Sequence, residues 1–94
     1  MNYTSKQLGK ELQQELKKGY DIVRISRWAF HIFYSHTGDL NPILSNILEE
    51  LFRMEDDPQF EYTEQELKLL AEKLINNEED PIKQINEMKS NGMT

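Results

Sequence analysis

The sequence predicts an all-α protein, a compact bundle of four to five helices. Three observations carry that expectation. Apolar residues recur at three- and four-residue spacings through most of the chain, no five-residue stretch alternates with period two, and valine, a typical strand residue, occurs once. Ninety-four residues suit a single helical domain, read as 1–94 with a frayed tail at 90–94.

Leu8, Leu12 and Leu16 form a narrow apolar stripe among polar neighbours, which places the first helix on the outside of the bundle. Thr4 and Gln7 stand in capping-box register at its start, and Gly19 suits the position just past its end. A second helix is expected from about Ile22 to Tyr34 or Ser35, with Asp21 as N-cap. Its apolar residues, Trp28, Phe30, Phe33 and Tyr34 among them, take up over half the circumference and leave only a strip of Arg24, Arg27, His31 and Ser35. A helix apolar nearly all round belongs at the centre, covered by neighbours on two sides.

Asn41-Pro42 reads as N-cap and first-turn proline of a third helix. Ile43, Leu44, Ile47, Leu48, Leu51, Phe52 and Met54 form its broad apolar face, opposite Ser45, Asn46, Glu49, Glu50 and Arg53. Pro58 disfavours the helical region for Asp57 and stops it. The fourth helix has the clearest start: Thr63 and Glu66 in capping-box register, with Tyr62 and Leu67 placed as a hydrophobic staple. Leu67, Leu70, Ala71, Leu74 and Ile75 line its inner face, while Leu69 falls opposite, without an obvious place in the core, where it could serve a dimer or a partner. Asp80-Pro81 opens a short fifth helix carrying Ile82, Ile85 and Met88, and Lys89 to Thr94 are expected to fray.

Composition excludes several function classes. Without cysteine there is no disulfide scaffold, zinc ribbon or thiol nucleophile. The segment Met1 to Lys18 lacks the apolar core of a signal peptide, and no apolar run approaches the ~18 residues of a membrane span. A cytoplasmic location without a membrane partner is expected. The net charge is −6, from 11 Lys+Arg and 17 Asp+Glu, which argues against nucleic acid as the main partner. His31 and His36 are five apart, the wrong interval for two ligands on one helical face, and His31 lies on the strip with Arg24 and Arg27. No glycine-rich phosphate loop and no recognisable Ser-His-acid set is present. The aromatic residues of the second helix read as core. The expectation is a protein that is no enzyme and holds neither metal nor cofactor.

Charge is unevenly spread. Residues 1–36 hold six basic and three acidic side chains, whereas 37–94 hold five and fourteen. Within 49–66, eight acids face Arg53 alone. A run of charge is ordinarily a solvated face, but three details promote this one to a candidate site. Glu49 and Glu50 share the solvent face of the third helix; Glu55, Asp56, Asp57 and Glu61 fill the following loop and Glu64 opens the next helix; Phe60 and Tyr62 are interleaved as possible aromatic anchors. The carboxylates just past the third helix also oppose its dipole, a local cost without local benefit.

The stretches Lys18-Gly19-Tyr20-Asp21, Ile25-Ser26-Arg27-Trp28-Ala29, Asp39-Leu40-Asn41-Pro42, Leu51 to Phe60, and Thr63-Glu64-Gln65-Glu66-Leu67 together resemble small bacterial immunity proteins. The types in question guard against contact-dependent growth inhibition toxins or belong to the colicin D immunity type. The resemblance implies a cytoplasmic helical protein that binds a cognate basic toxin domain, often a tRNA-cleaving nuclease, and blocks its active site. It implies contacts through Glu49, Glu50, Glu55, Asp56, Asp57, Glu61 and Glu64, with Phe60 and Tyr62 as anchors. Two other readings stay open beside it. One is a small helical regulator that binds nucleic acid through Arg24, Arg27 and the lysines of the first helix; the other is a non-catalytic adaptor. The oligomeric state is open as well.

Overall fold

A computed structural model describes residues 3–57, 59 and 61–91, the side chains of Ser90 and Asn91 excepted. Among the described residues the chain is all-α. Its helices are α1 (Ser5–Lys17), α2 (Ile22–Ser35), α3 (Pro42–Phe52), α4 (Glu64–Ile75) and α5 (Pro81–Asn91), with a 3-10 turn at Arg53–Glu55 after α3. The bundle is elongated, 42 × 26 × 22 Å.

Local chemistry sets the helix starts. Thr4, Asp21, Asn41 and Thr63 each adopt extended backbone and accept a backbone N–H from three residues ahead. At Thr63 the reciprocal bond is also made: the Thr63 N–H donates to Glu66 Oε1 at 2.8 Å, and Thr63 Oγ1 accepts from the Glu66 N–H at 3.1 Å. Gly19 follows the C-cap of α1 at φ +118°, a left-handed conformation that costs glycine nothing.

Two helix pairs make the body: α1 lies along α4 and α2 along α3, with α5 folded onto α4. Leu8, Leu12 and Leu16 of α1, Ile25, Ala29 and Ile32 of α2, the leucines of α3, Leu67, Leu70 and Leu74 of α4, and Ile82 and Ile85 of α5 share one core. Gly9 brings α1 close to α4. A Cβ on Gly9 would lie 2.7 Å from the Ala71 carbonyl oxygen and 2.9 Å from Leu74 Cβ. The pairs are tied by polar bonds at the turns. The Tyr20 hydroxyl donates to the Tyr62 carbonyl. Arg24 Nη2 donates to the carbonyls of Glu15 and Gly19 at 2.6 and 2.7 Å, satisfying acceptors at the end of α1. Ser26, buried in α2, donates to the Leu51 carbonyl at 3.1 Å.

Three expectations are corrected. The helix α2 is not covered on two sides: Val23, Phe30 and Tyr34 stand exposed, because α3 provides its main packing partner and buries one face. Leu69 is half-buried against the core rather than free. It shares with Lys73, four residues on, the flank of α4 where Lys73 reaches Gln84 of α5 at 2.8 Å. Helix α5 runs on through Lys89 to Asn91, further than the sequence suggests. Lys89 Nζ donates to the Glu61 carbonyl at 2.8 Å and lies 4.2 Å from the centre of the Tyr62 ring.

Candidate interaction surface

The carboxylates that cluster in the sequence divide into separate groups in space. Glu55 and Asp56 sit together beside α2, where they line a groove of about 290 Å³ with Ser26, Arg27, Phe30 and Phe52. The 3-10 turn produces this placement by carrying the chain past Phe52 with Met54 pointing into the core. Arg27 of α2 bridges to Glu55 at 3.3 Å. Glu49, three residues before Phe52, shares its flank of α3 and pairs with Arg53 at 4.0 Å. The Asp57 side chain accepts the Gln59 N–H at 2.9 Å and so shapes the loop.

A second group belongs to the start of α4. Glu61, Glu64 and Glu66 surround the Tyr20 hydroxyl closely enough to raise its pKa, after the larger effect of its burial. Within that group Glu64 is paired with Lys68 at 3.5 Å. Glu50 lies 3.5 Å from the Tyr62 hydroxyl, on which Glu66 also acts.

Tyr62 is not an exposed anchor. It is 2 % exposed, and its hydroxyl donates to Asn86 Oδ1 at 2.7 Å while its backbone N–H meets Met54 Sδ at 3.4 Å. Burial, with Glu50 close by, pushes its phenol well above the ordinary range. Tyr62 and Leu67, in register for a staple, are both core residues flanking the Thr63 cap. Phe60, the other expected anchor, lies outside the described residues.

Among the described residues the two most exposed aromatics are instead on α2. Phe30 is 50 % exposed and Tyr34 59 %. With Phe33 and Phe52 they form a continuous cluster, ring centroids 4.5 Å apart for Phe30–Tyr34 and 5.5 Å for both Phe30–Phe52 and Phe33–Phe52. These separations are those of favourable aromatic pairing. Sequence reasoning placed all of these rings in the core. The available signal was the number of apolar residues on α2, more than one packing neighbour can cover.

Of the cations proposed for nucleic acid, Arg24 is committed to carbonyls and to Glu15, 3.6 Å from its Nε, and Arg27 to Glu55. No group of three metal-ligating side chains occurs among the described residues, and no helix there is long and apolar enough to cross a membrane. No family model matches the chain, and neither does any curated protein or solved structure.

Proposed function

We propose that this chain is an immunity-type inhibitor: it binds a basic toxin domain, of the nuclease class, and neutralises it by covering cationic surface that would otherwise meet phosphates. The observation that carries the reading is that Glu55 and Asp56 line one groove with the exposed ring of Phe30 and the half-buried ring of Phe52. Aromatic anchors within a charged rim are the usual construction of a tight protein interface. The excess of acid over base supports the same reading, because an enzyme acting on phosphodiesters offers positive charge to its substrate. Such a protein would work in the cytoplasm, where the toxin acts. An adaptor would need no such charge bias, and a nucleic-acid regulator reading through α2 would need Arg24, whose guanidinium is held by the Glu15 and Gly19 carbonyls.

Co-expression tests the proposal. The C-terminal domain of the protein encoded immediately upstream is induced with and without this chain, and growth is followed together with tRNA integrity. Restored growth and intact tRNA are expected. An inducible domain that kills equally in both cultures, with the chain demonstrably folded, overturns it.

A further inference from the structure

Along α2, Val23, Arg27, Phe30 and Tyr34 succeed one another at intervals of four, three and four, so they form one line on the helix surface about 16 Å long. Val23, Phe30 and Tyr34 are large and exposed. Next to this line the groove opens between α2 and the turn after α3, lined by Phe30 and Phe52 on its apolar part and by Arg27, Glu55 and Asp56 on its polar part. Its volume of about 290 Å³ falls just below the ~300–1,000 Å³ of ordinary small-molecule clefts and suits inserted side chains.

We infer that this groove docks a basic amphipathic helix of a partner protein, one apolar side chain set against Phe30 and Phe52 and a neighbouring lysine or arginine meeting Glu55 and Asp56 in place of Arg27. The inference rests on the reading above for the sign of the partner's charge and deepens it by assigning the anchor to α2.

Charge decides the occupant. With Glu50 set aside beside Tyr62, Glu49, Glu55, Asp56 and Asp57 still outnumber Arg53 and Arg27, so the edge remains net negative. The C-terminal end of α3 adds partial negative charge of its own there. A second copy of the chain would bring the same carboxylates against themselves, which is repulsive. The Arg27–Glu55 bridge is a weak gate: the Arg27 side chain is 73 % exposed, and a solvated pair of this kind is readily exchanged for another cation. A three-turn line of exposed side chains beside a groove matches the spacing of anchors on a docked helix.

The probe is a 14-residue peptide of leucine and lysine in helical amphipathic order, with a leucine–glutamate peptide as its counterpart. Binding to the intact chain is followed by backbone and aromatic chemical shifts. The shifts are expected to centre on Phe30, Tyr34, Phe52, Glu55 and Asp56 for the lysine peptide. Phe30→Ser should weaken binding at least tenfold with helicity unchanged, and Met88→Ser, at another exposed apolar position, should leave it as it is. Arg27→Ala should strengthen binding several-fold, because it removes the competing cation. Shifts centred on Glu61, Glu64 and Glu66, equal binding of the glutamate peptide, absence of binding, or weaker binding by Arg27→Ala each overturn the inference. So does a stable dimer that already covers Phe30. These outcomes leave the growth-rescue result untouched, and failure of rescue does not alter where the peptide binds.

Discussion

Single residues in this chain hold more than their chemistry type suggests. Gly9 is a helical position where alanine would ordinarily gain about 1 kcal/mol. Here the added methyl meets the Ala71 backbone oxygen, which cannot step aside without moving α4. Gly9→Ala is therefore expected to lose about 1–2 kcal/mol, read from the urea midpoint, and a gain would show that the α1–α4 approach is looser than described. The tyrosines set the alkaline limit. Burial raises the Tyr3 phenol, with its 2.6 Å hydrogen bond to Glu11 adding to the effect, and burial likewise raises Tyr62 and Tyr20. Above pH 10 the unfolded chain loses these protons while the folded chain keeps them, so stability falls as pH rises and is undiminished by them below that value. Urea midpoints taken through pH 8 to 12 should be flat in this respect to about pH 10 and then decline, less steeply in Tyr3→Phe with Tyr62→Phe.

At the scale of elements, every helix start that the residue types marked is present. The Thr63–Glu66 box is the strongest case, because two otherwise orphaned donors are satisfied reciprocally and Tyr62 and Leu67 on either side are both buried. Thr63→Ala should cost about 1 kcal/mol in thermal or chemical unfolding, and Thr63→Ser should recover most of it. The helix α5 illustrates the opposite case. Its end reads as a fraying tail because polar residues dominate, yet Lys89 is fastened to the Glu61 carbonyl and to the Tyr62 ring across the bundle. Similarly, Leu69 is stranded on the helical wheel, yet it is half-buried against the core.

For the molecule as a whole, charge and exposed aromatics coincide at the α2–α3 edge, and association kinetics are where the coincidence is legible. Complementary charge can raise an association rate from about 10⁵–10⁶ to 10⁸–10⁹ M⁻¹s⁻¹ at low salt. With Glu55→Lys and Asp56→Lys together, association with the basic toxin domain proposed as partner should slow at least tenfold at low ionic strength, and the difference should shrink as salt screens it. The circular dichroism spectrum should be unchanged, since both residues are exposed. An unaltered on-rate would remove the acidic edge from the recognition mechanism. The same change made at Glu61 and Glu64 should matter less, because that group lies around Tyr20 and not at the groove.

Caps, turns and helix periodicity depend on residues a few positions apart, so the order of amino acids by itself determined the all-α class, the helix starts and most of the core. It also determined that negative charge is concentrated after α3. Which side chains remain in water was decided only by tertiary packing: whether α2 has one main neighbour or two depends on how four other helices are distributed in space. That distribution buried Tyr62, covered Leu69, separated Glu50 and Glu61 from Glu55 and Asp56, and left Phe30 and Tyr34 on the surface. Burial is a property of neighbours distant in sequence, and a one-dimensional pattern records how many apolar residues a helix has but not how many of them its partners can reach.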